Sequence, residues 1–233
     1  MIIVIKNRMK LTYFNGRGLA ETSRIILAVA GQEYEDFRYP LNIIDWSVFN
    51  MTRVEFDNDK KAGKLWRSMD KLPTLEVEGQ VIFQSKTIER YLAGCFNLLG
   101  STPLETAFID SVCETIRDFK DGYQKVRNTP AETKEIAVNT YFSETLPPLL
   151  LSLNSIIKDK QTSHTTSEET FVVGKKISLA DIVLFQFLTD FFDNKERVLN
   201  AYENCDVLKA IVTNVGNLDT VKNWLLNRPQ TPF

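Results

Sequence analysis

The sequence predicts an α/β unit followed by an all-helical unit. Three observations carry that expectation. Strand and helix patterns alternate from Lys10 to Phe96, in the order βαβ, a connection, then ββα. Gly100-Ser101-Thr102-Pro103 reads as a linker, since Gly and Pro punctuate regular structure. Beyond it every periodic segment is helical. The two units are expected over residues 9–98 and 103–233.

Lys10-Leu11-Thr12-Tyr13-Phe14 has the β-branched and aromatic content of a strand and is closed by Asn15-Gly16. Ala20 to Ala30 then carries Ile25, Ile26, Leu27 and Val29 on a broad apolar face and stops at Gly31. Tyr34 to Leu41 is a second strand, so the opening predicts a parallel pair. Leu75-Glu76-Val77 and Val81-Ile82-Phe83 flank Glu78-Gly79-Gln80, a hairpin pattern. Ser85 stands where a cap would open a helix faced by Ile88, Tyr91, Leu92, Cys95 and Phe96.

In the second unit, Leu104–Arg127 and Thr133–Lys158 read as long helices, with Pro147-Pro148 kinking or interrupting the latter. Gln161–Thr170 is polar and Ser/Thr-rich, the composition of a mobile loop. Ser178 with Asp181 three residues on predicts a capping-box variant ahead of the apolar run Ile182 to Leu188. Helices near Val207–Val215 and Leu218–Leu226 complete the chain.

Composition excludes several functions. The 233 residues, 43% hydrophobic and 25% charged, have the balance of a globular protein. With a net charge of −2 nothing draws the whole molecule to a polyanion. The basic run Lys60, Lys61, Lys64 and Arg67 is broken by Asp57 and Asp59 and reads as a solvated face, so no nucleic-acid partner is expected. Cys95, Cys113 and Cys205 are far apart, and the lone His164 lies in the Ser/Thr-rich stretch. That argues against a disulfide scaffold, a metal site or a Cys/His nucleophile, and fits a reducing compartment. Met1 to Arg8 holds too short an apolar run for a signal peptide, no segment is long enough to span a membrane, and Met9 is an alternative start. A cytoplasmic location is expected.

Three local features could carry chemistry. Lys71-Leu72-Pro73 leads into a strand. A cis Leu72–Pro73 bond there turns the Leu72 amide and carbonyl outward, whereas a trans bond makes a simple turn. Gln84-Ser85 sits where a helix N-terminus could hold a carboxylate, or where a cap has only a local role. Tyr13 stands at the carboxyl end of the first strand, the edge where open α/β units bind ligands, though a half-buried strand tyrosine needs no ligand.

Together these features resemble the cytosolic glutathione transferases, most closely the sigma class. The matching strings are Lys-Leu-Thr-Tyr-Phe-Asn-Gly-Arg-Gly-Leu-Ala-Glu (10–21), Tyr-Glu-Asp (34–36), Asp-Trp (45–46) and Lys-Leu-Pro-Thr-Leu-Glu-Val-Glu-Gly (71–79). They continue through Gln-Ser (84–85), Arg-Tyr-Leu (90–92), Asp-Phe (118–119), Val-Gly-Lys-Lys-Ile-Ser-Leu-Ala-Asp (173–181) and Asn-Trp-Leu-Leu-Asn-Arg-Pro-Gln-Thr (223–231). The resemblance implies a thioredoxin-like first domain that holds glutathione and a helical domain that walls the electrophile site. It implies that Tyr13 donates to the glutathione sulfur, with Phe14 beside it. The Leu72 backbone before Pro73 pairs with the cysteinyl part, and Gln84 and Ser85 hold the γ-glutamyl carboxylate. Trp46 and Lys64 hold the glycyl end, and Lys71 lines the same groove. Asp118 reaches the γ-glutamyl ammonium of a partner subunit in a homodimer. Glutathione is then a co-substrate, and no cofactor or metal is called for.

The sequence departs from that pattern in three places. Leu19 stands where active sigma enzymes carry an arginine near the thiolate, leaving more of the task to Tyr13. The connection from Trp46 to Lys71 is long, so Asn50 competes with Lys64 for the glycyl-end position. Lys120, Lys125 and Arg117 alter the expected electrophile wall, which disfavours a dedicated prostaglandin isomerase. The leading expectation is therefore conjugation of glutathione to small hydrophobic electrophiles. The alternative is a low-activity or non-enzymatic binding or structural relative, like a lens crystallin. A thiol-disulfide oxidoreductase is argued against by the lack of cysteine near Tyr13.

Overall fold

The computed structural model describes residues 8–45, 50–162 and 171–231. The chain divides into two units: one holds the described residues up to Phe96 and from Asn223 on, the other Asn97–Lys222.

In the first unit, β1 (Met9–Phe14) leads through a 3₁₀ turn (Gly18–Ala20) into α1 (Glu21–Ala30), and β2 (Glu35–Tyr39) follows. β2 pairs parallel with β1, as the βαβ pattern predicts. Met9 and Leu11 are buried while Lys10 and Thr12 are partly open, the alternation of a strand with one covered face. Next come β3 (Asn42–Asp45), β4 (Asn50–Thr52) and α2 (Val54–Lys61). These occupy the long stretch that sequence analysis treated only as a connection. β5 (Thr74–Val77) and β6 (Gln80–Phe83) form the expected hairpin about a two-residue turn, with Val77 opposite Gln80. Glu78 and Gly79 both have positive φ, 53° and 75°, the twist-matched turn that two-residue hairpins favour.

The four-stranded sheet runs β2-β1-β5-β6. β5 is antiparallel to both β1 and β6. α3 (Ser85–Cys95) packs against α1, burying Ile88 and Leu92 beside Ile25, Ile26 and Leu27. The helix opens one residue earlier than a cap at Ser85 would place it. Gln84 is the cap residue, with φ 72°, and Ser85 is the first helical position.

Every regular element among the second unit's described residues is a helix, as expected. Thr102 caps α4 (Pro103–Arg127), accepting from the Glu105 amide at 3.2 Å. Ile109, Val112, Cys113, Ile116, Phe119 and Tyr123 form its buried stripe at helical spacing. α5 (Ala131–Thr140) runs through a π-helical turn, Tyr141–Thr145, into α6 (Leu146–Thr162). The interruption expected at Pro147-Pro148 thus takes the form of one widened turn just before them. A wider turn suits prolines, which lack a donor and crowd the preceding carbonyls. Gln161 and Thr162 end α6 rather than opening a loop, and residues 163–170, with His164, lie outside the described residues. α7 (Leu179–Thr189) is buried from Leu179 to Leu188 and packs on α4 and on α9 (Asp206–Asn217). A short α8 (Lys195–Ala201), absent from the sequence expectation, precedes α9, and α10 (Asp219–Asn227) follows it.

The expected capping box is present. Asp181 Oδ2 accepts from the Ser178 amide at 2.7 Å and the Ser178 hydroxyl at 2.6 Å, while Oδ1 accepts from the Val172 amide at 2.7 Å. Burial pushes the Asp181 carboxyl up to about 6, against the pull of those donors.

Candidate active site

Three sequence features separated by about seventy residues meet at one end of the first unit's sheet. β1 runs toward Tyr13 and Phe14, antiparallel β5 starts at that same end, and β6 returns to it. The register places Thr12 opposite Thr74 and Thr74 opposite Phe83. Tyr13, the Leu72–Pro73 step and Gln84-Ser85 therefore share one sheet edge. Strand direction alone brings them there.

Tyr13 is held from behind. Its hydroxyl oxygen accepts a hydrogen bond from the Leu19 amide at 3.2 Å. The chain reaches that position by turning at Gly18, whose φ of 38° favours a residue without a side chain. A Cβ on Gly18 would lie 2.6 Å from the Tyr13 hydroxyl oxygen. Burial pushes the phenol above its ordinary value, while the Leu19 amide and the Arg24 charge pull the other way. The group is thus protonated at neutral pH. Its oxygen is already an acceptor for Leu19, and its own proton is left to donate.

The Leu72–Pro73 bond is cis, the first of the two readings sequence analysis left open. Among the described residues, Leu72 makes no main-chain hydrogen bond, in contrast to Lys71, whose amide donates to Ser68. Gln84 carries a left-handed backbone and makes no side-chain cap. A non-glycine residue held there costs about 1–3 kcal/mol, and such strain gathers at functional sites. The first-turn amides of α3 are consequently not used by a side-chain cap.

The remaining expected residues are distributed unevenly. Phe14 stacks edge-on against Tyr13 and Phe56, with ring centroids at 5.5 and 5.0 Å, tying β1 to α2. Lys71 is exposed on the approach to β5. Lys64 is engaged by Asp59 at 2.7 Å, and Asp59 also accepts from Tyr39 at 2.9 Å. These two donors, Lys64 foremost, hold the Asp59 carboxyl below its usual range. Trp46 lies outside the described residues. Asp118 is in the second unit on α4, with its side chain 72% exposed and Arg117 at 3.7 Å. Also on α4, Lys120 donates to Gln186 at 2.6 Å and lies 5.3 Å from the Phe191 ring centroid.

Sequence analysis missed the groups that hold the Tyr13 turn. Arg24 is buried and donates to the carbonyl oxygens of Gly16 at 2.6 Å and Arg17 at 3.4 Å. It also pairs with Glu21 at 3.3 Å and Asp36 at 3.2 Å. The available signal was a carboxylate and a guanidinium three residues apart, in the first turn of an otherwise uncharged helix.

Comparison with known proteins matches this arrangement. Residues 9–94 match the family model described as "Glutathione S-transferase, N-terminal domain", and residues 117–228 match "Glutathione S-transferase, C-terminal domain". The chain belongs to the glutathione S-transferase family. It is 33% identical over 229 residues to hematopoietic prostaglandin D synthase of Gallus gallus, covering 95% of this chain and 97% of that one. It is 32% identical over 225 residues to glutathione S-transferase 1 of Ascaris suum, covering 96% and 98%. Among solved structures, monomeric Na-GST-3 of Necator americanus superposes with a TM-score of 0.76 at 27% identity, covering 97% of this chain and all of that one. The fold class and the enzyme class expected from sequence are thereby established: this transferase joins a thioredoxin-like unit to a helical one. No helix of its described residues is long and apolar enough to cross a membrane.

Gly18→Ala tests the geometry of the turn. The added methyl forces the Tyr13 hydroxyl or the Leu19 amide out of place, and displacements of this size cost about 10²-fold in rate. The expected result is a loss of conjugation of roughly that size with unchanged circular dichroism, and wild-type activity would contradict the arrangement.

Proposed function

We propose that the protein conjugates the thiolate of glutathione to small hydrophobic electrophiles, with Tyr13 donating the hydrogen bond that keeps the sulfur ionised. The observation that carries this reading is the Tyr13 hydroxyl, protonated, backed by the Leu19 amide, and set at the sheet edge it shares with Leu72 and α3.

A free thiol has a pKa of about 8.5, so little of it is nucleophilic at neutral pH. A hydrogen bond donated to the charged form lowers that value, by about 1.4 kcal/mol of preference for each unit. The sulfur then attacks the electrophilic carbon, the new carbon–sulfur bond forms, and the leaving group departs with its electron pair. The thiol proton goes to solvent on binding. Tyrosine suits this role because it stays protonated and adds no charge. Leu19 lacks the side-chain cation of active sigma-class enzymes, yet its backbone amide supports the hydroxyl whatever side chain stands there.

In this reading the Leu72 amide and carbonyl pair with the cysteinyl residue in the manner of a short strand. Gln84, Ser85 and the first turn of α3 receive the γ-glutamyl carboxylate. Lys71, Lys64 and Trp46 serve the glycyl end, with Lys64 shared between ligand and Asp59, and Phe14 packs beneath Tyr13. Asp118, exposed and weakly paired, receives the γ-glutamyl ammonium of a partner subunit in a homodimer. The protein is read as a cytoplasmic, sigma-class detoxification enzyme.

Turnover of a chloronitrobenzene substrate by wild type and Tyr13→Phe tests the chemistry. Loss of a preorganised donor costs about 10²–10³-fold in rate, so the variant is expected to fall by that amount while still being retained on glutathione resin. Background turnover by wild type would sink conjugation, and an unchanged rate in the variant would sink the role of Tyr13. Sedimentation at micromolar concentration is expected to give twice the chain mass. A monomer would refute both the dimer and the partner role of Asp118.

A further inference from the structure

The family reading leaves one buried assembly unused. Arg24 and Glu21 form a deeply buried ion pair in the first unit, with side-chain exposures of 0% and 1%. Charges taken that far from water need partners; Arg24 leaves Nη2 without one, and the identity of the partners of its other two nitrogens is informative. Arg24 spends Nη1 on the carbonyls of Gly16 and Arg17 and Nε on Asp36. Asp36 is in turn held by Arg38 at 2.6 Å. Those two carbonyls belong to the turn whose next residues are Gly18 and Leu19, the supports of the Tyr13 hydroxyl. The Arg17 carbonyl also accepts from the Ala20 amide at 3.2 Å, closing the 3₁₀ turn that presents Leu19.

Glu21 faces the other way as well. Its Oε2 meets Arg24, while its Oε1 accepts from Trp224 Nε1 at 2.8 Å and Arg228 Nη1 at 2.7 Å. The last two residues are 203 and 207 positions away in sequence, in the segment that returns to the first unit. One carboxylate therefore joins the end of the chain to the residue that clamps the catalytic turn.

We infer that the carboxy-terminal segment is a positioning element for the Tyr13 hydroxyl, acting from Arg228 and Trp224 through Glu21 and Arg24 on the carbonyls of Gly16 and Arg17. This rests on the reading of Tyr13 given above. Neither Arg228 nor Trp224 touches the reacting atoms in this scheme; they fix the carboxylate, which fixes the guanidinium, which fixes the turn. A Leu19 amide held firmly against the phenol oxygen makes the hydroxyl a better donor, because hydrogen bonds in a chain polarise one another. A loosened turn weakens the donation to sulfur, and the bound thiol then ionises at higher pH.

The test compares full-length wild type with Arg228→Gln, Arg228→Lys and Trp224→Phe. The readouts are the pH profile of kcat/KM, the ultraviolet thiolate absorbance of bound glutathione and its Kd. Arg228→Gln is expected to move the acidic limb and the thiolate titration upward by about half a pH unit or more, with Kd changed less than about threefold. Arg228→Lys keeps the charge and restores most of the shift. Trp224→Phe removes a single donor while keeping the ring, and moves both readouts in the same direction by less. It keeps the inference exposed should Arg228→Gln fail to fold. Superimposable pH profiles with only a lowered Tm would overturn the inference and reduce the network to a stabilising one. Absence of thiolate absorbance in wild type would instead overturn the reading of Tyr13 itself.

Discussion

The hydrogen bond from the Leu19 amide to the Tyr13 hydroxyl, at 3.2 Å, spans only six residues and constrains everything between them. The strand must end at Phe14, the chain must reverse, and a residue with positive φ must stand at 18. That residue must also lack a Cβ, since the phenol occupies the space. A serine or alanine there would meet both a backbone penalty and a steric one. The phenol in turn gains an acceptor role that leaves its proton directed elsewhere. Activation of a thiol needs a donor that keeps its proton at working pH, and burial keeps Tyr13 in that form.

Sheet topology supplies the second constraint. Parallel β1–β2 pairing followed by an antiparallel β5–β6 hairpin sends three chain segments to one edge. None of the three is a persuasive site by itself: one is a strand tyrosine, one an X-Pro step, one a helix start. Register makes them neighbours, and their chemistries are complementary, with a hydroxyl donor, an extended backbone free to pair and a helix N-terminus suited to a carboxylate. The cost is local strain at Gln84, whose left-handed backbone delivers the chain from β6 into α3.

Much of this was legible in the sequence because it depends on local periodicity. β-Branched and aromatic content marked β1, alternation marked the β5–β6 hairpin, a glycine marked the end of α1, and the spacing of Ser178 and Asp181 marked the start of α7. What escaped reading depended on tertiary context. Ser85 looks like a cap, but the positive φ falls on Gln84 and moves the helix start by one residue. The stretch after Trp46 is polar and weakly periodic, so β4 and α2 give little signal, and it is α2 that carries Asp59 to within reach of Lys64. Glu21 and Arg24 are charged residues on a helix, a pattern that ordinarily means a solvated face. Only the fold shows them enclosed, with partners from the far end of the chain. Leu19 is the converse case. Its side chain suggested a weakened site, while its contribution in the structure comes from the amide, which every residue but proline supplies.

A crystal structure of the protein with glutathione tests the central claim most directly. The account predicts the sulfur within hydrogen-bonding reach of the Tyr13 hydroxyl oxygen, with the Leu19 amide still donating to that same oxygen. A sulfur turned away from Tyr13, or one that takes the Leu19 amide for itself, would contradict it.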